Sequence, residues 1–143
     1  MEQQMIEPTL ALQTAIRSAL IASPAVSALV PADHIRSGST RPDKLPSIIM
    51  ANGQTHFLGN ASGSQYSARV FLDLHVWAQE DGADTARTIG FAVCNVLKEA
   101  PATADFEIDE FSLPAVRWMR DPDPEKAYSH GVITIEAVMR WGI

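Results

Sequence analysis

The sequence predicts an α+β fold: an antiparallel or mixed sheet of about four to five strands, with two main helices packed on one face. Three observations predict it. Tyr66–Ala78 alternates strictly, with Val70, Leu72, Leu74 and Val76 on one side and Phe71, Asp73, His75 and Trp77 on the other, the two-residue period of a strand. Two other segments carry apolar residues at helical spacing. The chain closes on Val116–Trp141, where two extended runs flank Asp121-Pro122-Asp123-Pro124, a turn composition that makes a β-hairpin.

Each element has its own signal. Pro8 suits the first turn of a helix over Thr9–Ile21, whose Leu12, Ile16, Ala19 and Leu20 share a face. Ser23-Pro24 caps and opens a short second helix, Ala25–Val30, which Pro31 ends. Arg36–Pro46 is a flexible loop by composition. Ser47–Ala51, centred on Ile48-Ile49-Met50, is a buried strand. From Asn52-Gly53 to Gln65, glycine and polar residues predict a second flexible loop, 53–65, with Phe57 and Leu58 exposed at its tip. Glu80-Asp81-Gly82 breaks the long strand, and Asp81 or Asp84 caps a helix running to about Lys98, with Ala86, Ile89, Gly90, Val93 and Leu97 as its core stripe. Phe106–Leu113 and Ala115–Arg120 are extended around Pro114, and Ser129–Trp141 is the final strand, with Ile133, Ile135, Ala137, Met139 and Trp141 facing one way. The order is α, α, β, β, α, β, β, β, in one domain spanning 1–143.

Composition narrows the function. An apolar fraction of 46% and a charged fraction of 20% belong to a globular chain. The one cysteine, Cys94, has Phe91, Val93, Val96 and Leu97 around it and reads as a buried structural thiol. No stretch approaches the roughly 18 apolar residues of a membrane span. The acidic start, Glu2 and Glu7 before the first Arg17, is not that of a secretory leader, so synthesis in the cytoplasm is expected. Net charge is −6, and eight of the 17 acids fall between Glu99 and Glu125. Without a basic stripe, specific nucleic-acid binding is not expected.

Catalytic patterns are missing. His34, His56, His75 and His130 include no pair at i, i+3 or i+4, so no metal site and no cofactor are expected. Asp73 and His75 could pair a base with its orienter, and Glu107 with Asp109 could act as paired carboxylates; an interface pair and a solvent-facing strand are the commoner uses of such residues. Gly59-Asn60-Ala61-Ser62-Gly63 lacks the lysine of a phosphate loop, and no Gly-x-Ser-x-Gly elbow occurs. No catalytic residue is assigned, and the chain is not expected to be an enzyme.

Leu12–Leu20, Leu29-Val30-Pro31-Ala32, Leu45-Pro46-Ser47-Ile48-Ile49, Leu72-Asp73-Leu74-His75-Val76-Trp77 and Arg120-Asp121-Pro122-Asp123 with His130-Gly131-Val132 together form a pattern. It resembles the tail terminator, or tail completion, family of long-tailed bacteriophages and gene transfer agents. The resemblance implies a virion structural protein of the tail and neck, assembled in the bacterial host cytoplasm. It implies a self-associated ring, typically a hexamer, that caps the head-proximal end of the tail tube and ends its growth. The implied partners are the major tail tube protein and a head-completion or stopper protein, with DNA passing through the lumen without specific binding. A head–tail connector ring in the same neck is the neighbouring alternative. A small-molecule-binding or enzymatic domain with a cleft beside His75 and Trp77 is the alternative of another class. Phe57, Leu58 and Trp77 are expected as assembly anchors, with Arg36, Arg41 and Lys44 as contacts to acidic neighbours. On that reading Trp77→Ala weakens assembly more than the fold.

Overall fold

A computed structural model of the chain describes residues 6–60, 63, 65–123, 125 and 127–142. Helix α1 spans Pro8–Ala22, with the Glu7 carboxylate accepting the backbone N–H groups of Thr9 and Leu10 at 3.0 Å each. Those are donors that a helix start leaves free. Ser23 ends α1, and its hydroxyl caps α2, Pro24–Ser27. A single 3₁₀ turn, Ala32–His34, leads into β1, Ile35–Ser37. Strands β2, Ser47–Asn60, and β3, Gln65–Gln79, follow, then helix α3, Asp84–Val96. Strands β4, Glu107–Phe111, β5, Ala115–Arg120, and β6, Tyr128–Gly142, complete the chain.

The six strands form one mixed sheet in the order β1-β2-β3-β6-β4, with β5 also pairing β6. Only β1 and β2 run parallel. Strands β3 and β6 are paired without a break from Gln65↔Gly142 to Gln79↔Tyr128 and form the spine. On one face Leu72, Leu74, Val76, Ile133 and Ile135 meet Leu12, Ile16 and Leu20 of α1 and Ile89 and Val93 of α3, all of them buried. The expected layering of two main helices on one face is present, and the period-2 and period-3.6 patterns account for it.

Trp118 of β5 closes this layer at its side. Its indole lies where side chains on Gly90 of α3 and Gly131 of β6 would stand, so both positions must lack a Cβ for helix, strand and indole to meet.

Several expectations need correction. The sheet has six strands rather than four or five, because Ile35–Ser37 is too short to show a period. Of the flexible loop expected over 53–65, residues 53–60 are strand: β2 runs through Asn60, and Gln54↔Phe71 to Asn60↔Tyr66 are paired. Two register shifts, at Ala51/Gln54 and Phe57/Gly59, absorb Asn52-Gly53 and the 58–59 region. Such bulges break the side-chain alternation that marks a strand. Of the glycine-rich tip, Ala61, Ser62 and Ser64 lie outside the described residues, as do Pro124 and Lys126 of the later turn. The loop 36–46 begins two residues later than expected, Arg36 and Ser37 belonging to β1. The second helix is shorter than Ala25–Val30.

Candidate functional site

The sheet face without helices carries the polar side chains. At one end Arg36, Ile49, His75 and Val132 stand in one cross-strand row, and Ser47, Trp77, His130 and Met119 in the next. The loop after β1 folds over this end. Arg36 holds it from beneath, its guanidinium donating to the carbonyls of Ser39 and Arg41 at 3.0 and 3.1 Å. His34 Nδ1 lies 2.8 Å from the Pro46 carbonyl at the loop's far end.

Arg41, carried by this loop, tops a column of stacked groups. Its guanidinium lies 5.2 Å from the Trp77 ring centroid and 3.0 Å from the Asp121 carboxylate, whose side chain is fully buried. Trp77 stacks on His130 with centroids 3.8 Å apart and planes 7° from parallel. His130 Nε2 then meets His75 Nδ1 at 2.8 Å. Between two imidazoles such a bond needs one donor and one acceptor, so the two rings cannot both be protonated while it holds. Burial, reinforced by the adjacent His75, lowers the His130 pKa to about 4, and burial lowers that of His75 as well. Asp121 is held below the usual carboxylate range by Arg41 and by the Asp123 backbone N–H.

This column is a clamp. The Asp73 carboxylate accepts from the Asn52 side-chain amide at 3.2 Å and does not orient His75, whose Nδ1 faces His130. The base–orienter pair is therefore not formed. Asp109 is taken by Arg140 at 3.0 Å, and the bulge between Ile108 and Glu110 separates it from the alternation with Glu107. Among the described residues no group of three or more His, Cys, Asp or Glu side chains converges as metal ligands. Burial raises the Cys94 pKa, as befits an inert thiol. No described helix is long and apolar enough to cross a membrane.

The residues expected at assembly contacts divide. Trp77 is only 3% exposed, so it is an internal packing residue of the monomer and not a surface anchor; the Arg41 guanidinium lies over it. Phe57 and Leu58 are 72% and 51% exposed on β2, and the Phe57 ring meets Trp141 edge-on at 6.2 Å. Arg36 and Arg41 spend their donors inside the subunit, while Lys44 is exposed and stands 3.6 Å from Asp33, which is more exposed still. Sequence reasoning missed the His75–His130 contact and the partnership of Arg41 with Asp121. Those residues lie 55 and 80 positions apart, and only the β3–β6 and β5–β6 registers bring them together.

The same architecture occurs in solved structures. A chain in the virion of a native gene transfer agent particle superposes with a TM-score of 0.73 at 17% identity, over 94% of this chain and 99% of that one. The gp17 protein of bacteriophage SPP1 matches with a TM-score of 0.50 at 21% identity, over 94% and 90% of the two chains. At these identities the likeness establishes the fold. No curated protein sequence matches the chain. The profile of the tail completion protein gp17 family matches residues 14–140, from the second turn of α1 nearly to the end of β6, and the chain belongs to that family.

Proposed function

We propose that this tail completion protein, a structural component of a phage or gene-transfer-agent virion, forms a closed ring of six subunits on the head-proximal end of the tail tube. There it stops tube polymerisation and offers a surface to the head-completion protein, with DNA passing through the lumen. The observation that carries this reading is the sheet's two unlike open edges. On one side β1 and the outer edge of β2 from Gln54 to Asn60 have no further strand among the described residues; on the other, β4 and β5 have none. An open edge is a template for pairing with another chain. Unlike edges favour head-to-tail contacts, which close into a ring when the rotation allows. Phe57 and Leu58, exposed beside one edge, supply apolar area for the ring or the tube contact.

The geometry argues against the enzymatic alternative. The cleft expected beside His75 and Trp77 is capped by the Arg41 guanidinium, and the histidines there are committed to each other. Electron microscopy of particles with the protein labelled tests the proposal. The expected result is a single ring at the head-proximal end of the tail; label absent from particles, or spread along the tube, refutes it.

A further inference from the structure

We infer that the subunits join by seating the acidic β4 edge of one copy against Arg17 in the α1–β1 groove of the next. The inference rests on the ring reading and names the surfaces that would close it. The groove, about 460 Å³, lies between α1 and the outer edge of β1 and is lined by Arg17, Asp33 and Arg36 among others. Arg17 is fixed in it by two of its five donors, Nε to the Ile35 carbonyl at 2.8 Å and Nη2 to that of Ala32 at 3.2 Å. Among the described residues the rest of its planar fork has no partner, carboxylate or other. Lys44 lies at the same end, paired only with exposed Asp33 at 3.6 Å, a contact worth little in water.

The complementary charge lies at the other end of the sheet. Glu99, Asp105, Glu107 and Glu110 are all exposed along β4 and the segment before it. None of the four makes an ion pair among the described residues. Asp109, between them, is neutralised by Arg140. Glu107 stands across from Arg140 in the β4–β6 register without an ion pair, and carboxylates exposed along one edge repel one another, a repulsion that a neighbour's guanidinium relieves. A second copy is the occupant the charges fit, since Arg17 and the β4 carboxylates lie at opposite ends of the same sheet, as a heterologous contact requires. The ends are also staggered. β1 lies level with Gly131 of β6 and β4 with Met139, eight residues or about 26 Å along the strand. Joining such ends tilts the strands against the ring axis, as sheet closure demands.

Charge reversal and mixing test this. Sedimentation at low salt is expected to show the wild type as an oligomer that dissociates as salt is raised. The variants Glu107→Lys/Glu110→Lys and Arg17→Glu/Lys44→Glu, each checked for an unchanged circular dichroism spectrum, are expected to stay monomeric alone. Mixed in equal amounts they reassemble, because each then presents only complementary pairs to the other. Assembly of both variants alone, as tight as wild type, overturns the proposed contact and leaves the ring reading standing. Failure of the mixture to reassemble also overturns it. A wild type that stays monomeric at every concentration, with no ring on particles, removes the ring reading and this contact with it.

Discussion

Replacing Trp77 with alanine separates a clamp inside the subunit from an anchor between subunits. The indole is 3% exposed; a tryptophan in such a site removes about 150–250 Å² from water, and at about 25 cal/mol/Å² that is roughly 4–6 kcal/mol. Truncations of large aromatics cost about 3–5 kcal/mol when the cavity collapses only in part. The Trp77 site cannot collapse readily, because β2, β3 and β6 fix its floor through the pairs Ser47↔Trp77 and Trp77↔His130. A loss near 4 kcal/mol is expected. For 143 residues an unfolding entropy of about 2.1 cal/mol/K per residue gives about 0.3 kcal/mol/K, so Tm falls by roughly 13 °C. The assay is thermal unfolding of the monomer in high salt, followed by circular dichroism, with Leu58→Ala as the exposed control. Leu58→Ala is expected to shift Tm by no more than about 2 °C. A Trp77→Ala protein that melts within about 3 °C of wild type yet fails to assemble refutes the clamp and restores Trp77 as an anchor.

Further outcomes follow from the same structure. The folded His130 pKa of about 4 lies below the ordinary 6.5, so the unfolded chain binds the extra proton between those values and stability falls as pH drops from about 6.5 towards 4. His130→Phe keeps a ring under Trp77 and is expected to flatten the dependence of urea midpoint on pH in that window; an unchanged slope refutes the assignment. Ala at Gly131 collides with the Trp118 ring and is expected to cost about 1–3 kcal/mol, with Trp118→Leu restoring part of it in the double variant's melting curve. Glu7→Ala removes the carboxylate that caps α1 and is expected to cost about 1 kcal/mol, read as a Tm drop of roughly 3 °C.

The parts of the fold legible in the sequence were those whose period survives in the structure. Ile133, Ile135, Ala137 and Met139 stand on the helix face because β6 has no bulge against β3, and Leu12, Ile16 and Leu20 mark α1 for the same reason. The distal half of β2 was illegible because its bulges and the left-handed Asn52, φ 59°, imitate a loop in composition. Strand β1 was hidden because a three-residue parallel strand takes its identity from Ile48–Met50 beside it. Polarity misled at Trp77. On a strand face shared with Asp73 and His75 it looked surface-bound, yet those neighbours are themselves consumed, by Asn52 and by His130. Distance in sequence hid the rest of the column.

That column also explains why the helix-free face can carry charge without exposing the sheet. A β-sheet covered on one side leaves its other face to water or to a partner. Here Arg41 closes one end of that face, neutralising buried Asp121 and shielding Trp77, and Arg69 pairs with Glu136 at 2.6 Å farther along. Arg41 and Arg69 on this face are thus paired within the subunit, whereas Arg17 at one end of the sheet and Glu107 and Glu110 at the other make no ion pair among the described residues. A contact that drew Arg41 away from Asp121 would leave a buried carboxylate without its cation, a strongly unfavourable change. Joining by the ends breaks no internal pair of that kind. The clamp therefore biases the subunit towards edge contacts, and removing it with Arg41→Ala is expected to expose Trp77, seen as a red-shifted emission of the three-tryptophan protein, and to replace discrete oligomers with irregular ones. Discrete oligomers with unshifted emission in Arg41→Ala would show that the loop covers Trp77 without Arg41, and that the face is closed by packing alone.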